Sequence, residues 1–129
     1  MPHVITLVDD LMFLSRIREA ARGAGVEIRS ARGPKDLVEA ARGGARLVLV
    51  DADNSRLPWA EAVSALRADP SVAAVPVIAF LSHVHAERAE AARAAGASRV
   101  LARGAFVQEL PHLLAAAASS ATVPEENDR

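Results

Sequence analysis

The sequence predicts an α/β fold, a doubly wound parallel sheet of five strands with helices on both faces. Short apolar runs alternate five times with longer segments of helical periodicity. Two of the runs, Leu47–Val50 and Val75–Leu81, are almost continuously apolar, which is typical of strands buried on both faces. The 129 residues accommodate five such units but not a second core.

Glycine and proline mark the element boundaries in the first half of the chain. The first helix carries apolar residues at helical spacing and stops at Gly25, and the second begins at Pro34. Proline suits the first turn of a helix because its missing N–H would have no partner there. The predicted elements are strand Val4–Val8, helix Leu11–Ala24, strand Val26–Arg29, a helix from Pro34 to the glycines at 43 and 44, and strand Leu47–Val50.

The second half of the chain repeats the same alternation. The predicted elements are a helix from Pro58, strand Val75–Leu81, helix Ala86–Ala95, a short strand at Val100 and Leu101, and helix Phe106–Ala118. Pro111 lies inside the last helical pattern and should kink that helix or mark its true start. Residues 119–129 are polar and acidic, which predicts a flexible tail after a domain of residues 1–118.

Composition excludes several classes of function. The 15 Lys and Arg residues nearly balance the 16 Asp and Glu residues, which argues against a dedicated nucleic-acid or anionic-membrane binder. The absence of cysteine excludes disulfides and thiolate metal sites. No apolar run approaches the roughly 20 residues of a membrane span, and the N-terminus lacks the basic region of a signal peptide. We therefore expect a cytoplasmic protein.

Acidic residues follow two of the predicted strands. Asp9 and Asp10 follow the first strand, and Asp51 and Asp53 follow the third. Ligands of open parallel sheets bind at the carboxyl ends of the strands, so these side chains should converge at one edge. Carboxylates brought together repel one another, and Mg²⁺, which binds carboxylates and carbonyl oxygens, would relieve that repulsion. Two polar residues are expected at the same edge, Ser82 after the fourth strand and Arg103 after the fifth.

The sequence resembles a response-regulator receiver domain over about residues 3–118. The matching segments are Ile5–Asp10, Leu47–Asp51, Val75–Phe80 and Ala94–Ser98. The resemblance implies a flavodoxin-like fold with strand order 2-1-3-4-5. It also implies that Asp51 accepts a phosphoryl group from a histidine kinase, and that Asp9, Asp10, Asp51 and the backbone carbonyl of Asp53 hold Mg²⁺.

The sequence departs from the receiver pattern where that family detects phosphorylation. Leu81 stands where the family has a Thr or Ser that contacts the phosphoryl group, with Ser82 one residue later. Arg103 and Gly104 replace the family's Lys-Pro pair, and Val100 replaces its aromatic switch residue. Leu81 and Val100 are therefore altered switch positions, and Arg103 and Ser82 are the candidate phosphate-binding residues.

Each candidate residue also has a purely structural interpretation. Arg103 could neutralise Asp51 by a simple ion pair without any phosphate, because a planar guanidinium is not equivalent to a compact ammonium. Ser82 could instead cap the fourth helix. One of Asp9 and Asp10 could cap the first helix, since aspartate is a favoured capping residue.

Three functions are consistent with these residues. The first is a stand-alone atypical receiver that a histidine kinase or phosphotransfer protein phosphorylates and that acts on a downstream protein, without contacting nucleic acid or membrane. It could dimerise through helix 4, strand 5 and helix 5, a face that includes Arg88, Arg99 and Glu109.

The second is a phosphorylation-independent pseudo-receiver that serves as a protein-interaction module. We expect neither to be an enzyme beyond weak autodephosphorylation. The third, remote, is a phosphatase of the haloacid-dehalogenase type, whose nucleophile and general acid would be Asp51 and Asp53.

Overall fold

The chain folds as five strand–helix units in succession. In the computed structural model, residues 2–53, 56–82 and 86–119 are described. The elements are β1 His3–Leu7, α1 Leu11–Ala24, β2 Glu27–Ser30, α2 Pro34–Arg42, β3 Ala45–Asp51, α3 Trp59–Ala68, β4 Val77–Leu81, α4 Ala86–Ala95, β5 Arg99–Ala102 and α5 Arg103–Ser119.

The five strands form one parallel sheet in the order β2-β1-β3-β4-β5. This order confirms the flavodoxin-like arrangement that the resemblance implies. The chain leaves the first strand, builds β2 on one side, and then crosses to build β3, β4 and β5 on the other side. The reversal brings the carboxyl ends of β1 and β3 side by side, which is where an open α/β sheet binds its ligands.

The sheet separates two hydrophobic layers. Alternate residues of each strand point to opposite faces, so that Leu47 and Leu49 pack towards α1 and α5 while Val48 and Val50 pack towards α2, α3 and α4. All four side chains are fully buried. The near-continuous apolar runs of β3 and β4 are therefore required by burial on both faces, as predicted. None of the described helices is long and apolar enough to cross a membrane.

The last helix begins earlier than the sequence pattern predicts. It starts at Arg103 and not at Phe106, and it continues through Pro111 to Ser119. Pro111 is thus not the start of the helix. Proline has no N–H, so residue 111 cannot donate the helical hydrogen bond to the carbonyl of Val107, and Pro111 lies on the exposed side of the helix. The predicted flexible tail falls mostly on residues 120–129, which lie outside the described residues.

Candidate functional site

Four acidic residues lie at the carboxyl edge of the sheet, and we call them the acidic site. Asp9 and Asp10 lie between β1 and α1, Asp51 is the last residue of β3, and Asp53 lies in the turn that follows β3. Arg103 contacts both Asp10 and Asp51, which shows that these two segments meet at one edge as the sequence predicts.

Asp51 is the most buried member of the acidic site. Its side chain is only 7% exposed. One carboxylate oxygen, Oδ1, accepts a hydrogen bond from the backbone N–H of Asp53 at 3.0 Å, and the other, Oδ2, lies 3.3 Å from the Arg103 guanidinium. Burial raises the pKa of the Asp51 carboxyl, and the Asp53 N–H and the charge of Arg103 only partly offset that effect.

Arg103 sits at the centre of the acidic site. Its guanidinium is 3.3 Å from Asp51 and 3.8 Å from Asp10, and it lies over the ring of Phe13 with 4.5 Å between its central carbon and the ring centroid. Phe80, which pairs with Asp51 across the sheet, has its ring centroid 5.5 Å away. Cation–π contacts and two carboxylates therefore hold the guanidinium in place.

Asp10 also has a structural task at the start of α1. Its Oδ1 accepts hydrogen bonds from the backbone N–H groups of Met12 at 3.0 Å and Phe13 at 3.1 Å. These contacts satisfy N–H groups that have no partner inside the helix. The sequence-based alternative that one aspartate of the pair caps the first helix is confirmed for Asp10.

The remaining two carboxylates are paired with other arginines. Asp9 lies 3.5 Å from both Arg32 and Arg56, whose side chains are well exposed. Asp53 accepts a hydrogen bond from the backbone N–H of Ser82 and another from Arg88 at 2.7 Å. Burial alone would raise the pKa of Asp53, but the hydrogen bonds from Ser82 and Arg88 hold it below its ordinary value.

The arrangement does not fit a Mg²⁺ ion. Within residues 2–53, 56–82 and 86–119, no three His, Asp or Glu side chains are grouped as a site for a metal ion. The carboxylates lie at one edge, but arginine side chains lie beside them, and one oxygen of Asp10 is committed to the helix cap. A hard divalent cation needs several free oxygens around one point, and these residues do not offer them in this arrangement.

The residues at the altered switch positions lie in the core or at its margin. Leu81 ends β4 with a fully buried side chain in the layer of α2, α3 and α4, and Val100 is buried in β5. Ser82 is exposed, and its backbone N–H binds Asp53. The start of α4 adjoins residues 83–85, which lie outside the described residues, so the capping role considered for Ser82 stays a prediction.

Sequence reasoning missed three members of this site, the arginines that pair with Asp9 and Asp53. Arg32 precedes α2, Arg56 precedes α3, and Arg88 lies in the first turn of α4. Arginine is abundant in this chain, with one lysine at position 35, so no single arginine stood out. Arg88 was the one arginine whose place could have been anticipated. It follows the fourth strand, which pairs with β3, so the chain at that point leaves the sheet near the edge where Asp51 and Asp53 lie.

Solved structures with similar folds identify the architecture. A response regulator from Hahella chejuensis has a TM-score of 0.76 and 17% identity, covering 91% of this chain and 95% of its own. A response regulator in red light signaling of R. palustris has a TM-score of 0.73 and 22% identity, covering 96% of this chain and 99% of its own. The chain has the receiver fold of response regulators. No protein-family model matches the sequence, and no curated protein matches it.

The receiver fold spans nearly the whole chain. A chemotaxis response regulator of Vibrio cholerae, CheY4, has a TM-score of 0.74 and 19% identity, and the match covers 91% of this chain and 98% of that protein. The similarity therefore includes all five strand–helix units and not one fragment. Because the identities are low, the likeness defines the receiver fold, and the activity must be argued from the acidic site itself.

Proposed function

We propose that this chain is a receiver-fold signalling module of the two-component type that acts through protein contacts and does not use phosphorylation of Asp51. The observation that carries the proposal is Arg103, whose guanidinium lies between Asp51 and Asp10. These are two of the carboxylates that the resemblance assigns to Mg²⁺. In this pseudo-receiver the arginine charge stabilises the acidic site permanently, without an exchangeable cation.

The electrostatics of the site support this proposal. A carboxylate attacks a phosphoryl group only where positive charge neutralises the phosphoryl oxygens. The positive charges of this site are already engaged: Arg103 with Asp51 and Asp10, Arg88 with Asp53, and Arg32 and Arg56 with Asp9. Leu81 provides no hydroxyl to bind a phosphoryl oxygen, and Val100 has no ring to change position. In the receiver family, a hydroxyl and a mobile aromatic ring at these two positions couple phosphorylation to a change of shape, and this chain has neither group.

Phosphorylation of Asp51 by a histidine kinase or phosphotransfer protein is the second candidate, and one contact favours it. Among the residues that the structure describes, Oδ2 of Asp51 is held by one long contact, 3.3 Å from Arg103. A small shift of the guanidinium would free that oxygen and leave Arg103 able to bind the phosphoryl group, with Ser82 nearby. This candidate requires Mg²⁺ to enter the acidic site and displace the arginine charge.

The haloacid-dehalogenase alternative is less well supported by the acidic site. Its mechanism needs Asp53 as a general acid, which must hold a proton near neutral pH. The hydrogen bonds from Ser82 and Arg88 lower the pKa of Asp53 and therefore favour its ionised form. We therefore propose a binding module and not an enzyme.

Labelling with acetyl phosphate and Mg²⁺ tests the proposal directly. We expect the wild-type chain to stay unlabelled in intact mass spectrometry. The double variant Leu81→Thr with Arg103→Lys restores a hydroxyl and a compact ammonium, and we expect it to gain Mg²⁺-dependent label. Adding Asp51→Asn to the double variant should remove that label, which identifies the modified residue.

A Mg²⁺ titration followed by amide NMR gives an independent measurement. Wild-type amides of Asp51 and Asp53 should not shift saturably, whereas those of the double variant should. If the wild-type chain takes up label and Asp51→Asn abolishes it, the phosphoacceptor function is correct and the pseudo-receiver proposal is wrong. Steady turnover of a phosphate ester would instead support the phosphatase.

The partner surface of the helix 4, strand 5 and helix 5 face remains a prediction. Two of its charged groups are already paired within the chain, since Arg99 donates to both carboxylate oxygens of Glu109 at 2.8 and 3.1 Å. Arg88 is likewise engaged by Asp53. Contacts to a second molecule through these side chains would first have to break the internal pairs.

A further inference from the structure

A groove runs along the surface between α1 and α5. It consists of two adjoining depressions of about 500 and 560 Å³ that share Met12, Arg16 and Val107 as lining residues. We call this surface the α1–α5 groove. Its other lining residues include Asp10 and Arg103 at one end and Glu19, Leu110 and Pro111 at the other.

Two large apolar side chains are exposed in the first turn of α1, and one of them lines the α1–α5 groove. Leu11 is 78% exposed and Met12 is 85% exposed, the large apolar side chains that stand out as exposed in the described part of the chain. Both lie in the first turn of α1, and Met12 lines both depressions. The same surface thus carries an apolar projection, Met12, and an apolar hollow to receive it. A two-fold interface needs this self-complementarity, because the same patch faces itself.

The charges of the groove are also compatible with a second copy of the same surface. The lining carries two cations, Arg16 and Arg103, and two anions, Asp10 and Glu19. A balanced lining of this kind favours neither an acidic nor a basic partner. Among the described residues Arg16 has no hydrogen-bond or ion-pair partner, whereas Glu19 pairs only with the exposed Arg22 of its own helix.

We propose that a second copy of this chain docks on the α1–α5 groove in a two-fold arrangement. Met12 of each copy packs into the groove of the other, and Arg16 of each copy pairs with Glu19 of the other. This surface is distinct from the helix 4, strand 5 and helix 5 face, and the proposed ion pair between Arg16 and Glu19 lies outside the acidic site.

Sedimentation velocity over a concentration series of the full chain tests the proposal. The wild-type chain should form a dimer, and Arg16→Glu and Glu19→Arg should each weaken it at least about tenfold, because each places like charges opposite one another twice. An equimolar mixture of the two variants should form dimers again, because the exchanged charges pair in the mixed species. Lys35→Glu, an exposed charge change on α2, should leave the dimer unchanged.

Two results would overturn the proposal. A wild-type chain that stays monomeric at every concentration leaves the groove to a different protein or to none. A dimer that neither charge variant weakens, or that the mixture does not restore, shows that the copies meet through another surface. Circular dichroism of each variant confirms that a lost dimer is not a lost fold.

Discussion

At the scale of single residues, the chemistry of this protein depends on how Arg103 and Asp51 share one buried corner of the sheet. Asp51 is held by an N–H and a guanidinium, yet burial still raises the pKa of its carboxyl. Folding therefore destabilises the ionised form of Asp51 relative to its protonated form. Burial of the ionised carboxylate therefore opposes folding at neutral pH, and a carboxyl with a perturbed pKa in such a position is a candidate functional group.

The unfavourable burial of the ionised Asp51 carboxylate predicts how Asp51→Asn changes the free energy of unfolding. The folded-state pKa lies above the unfolded-state value, so the folded protein binds the proton more tightly and its stability falls as the pH rises between the two values. Asparagine cannot ionise, and its oxygen can still accept from the Asp53 N–H. We expect the variant to have a higher free energy of unfolding than the wild-type chain at neutral pH.

Urea denaturation at a series of pH values measures this difference in the free energy of unfolding. The advantage of Asp51→Asn should shrink as the pH falls to the ordinary range of an aspartate carboxyl. Asp36→Asn, which removes an exposed carboxylate in the first turn of α2, should give no such gain. A variant that is less stable than the wild-type chain at neutral pH would mean that the Arg103 pair outweighs the burial of Asp51.

At the scale of elements, Arg67 joins three segments around the end of α3. Its Nε donates to the carbonyl of Gly96 at 2.8 Å, and its terminal nitrogens donate to the carbonyls of Ala73 and Val75 and to the hydroxyl of Ser98. The hydroxyl of Ser98 in turn accepts from the first N–H of β4. These bonds fix the turns that lead into β4 and β5.

Gly96 is the position where this arrangement tolerates no side chain. Its φ is +123°, and a Cβ there would lie 2.5 Å from Cγ of Arg67. We expect Gly96→Ala to lower the free energy of unfolding by about 1–3 kcal/mol, because the backbone is strained and Arg67 must move. Gly23→Ala, in the last turn of α1 with nothing within 4 Å of the added Cβ, should be neutral or stabilising. Equal stability of both variants in urea denaturation would contradict this account.

At the scale of the whole molecule, the strand order determines which strands are the last to lose their backbone hydrogen bonds in local unfolding. The central strands β1, β3 and β4 are bonded on both sides and their side chains are buried on both faces, whereas β2 is an edge strand with mostly exposed residues. Local opening requires few buried contacts to be lost at an edge and many at the centre.

Native-state hydrogen exchange should reflect this order. We expect the slowest amide exchange in β1, β3 and β4, and markedly faster exchange in β2 and at the ends of β5. Amides of α2 and α3 serve as an internal reference for the layer that covers the sheet. Protection of β2 equal to that of β3 would indicate that another chain covers the β2 edge.

The sequence by itself determined the fold. Alternating apolar runs and helical segments permit few arrangements other than a parallel sheet with two helical layers, because each run must be buried and each helix has one apolar side. It also predicted that Asp9, Asp10 and Asp51 lie at one edge, since strand ends determine that placement. Asp10 as a cap and Arg103 as an ion-pair partner were among the alternatives that the residue types allowed.

Only the tertiary structure decided how the acidic site is neutralised. Asp51 and Arg103 are 52 residues apart, and Asp53 and Arg88 are 35 apart. Whether a long arginine side chain reaches a carboxylate depends on the packing of helices against the sheet, which no local pattern records. The same is true of the α1–α5 groove, because a surface shared by two helices exists only once both have packed on the same layer.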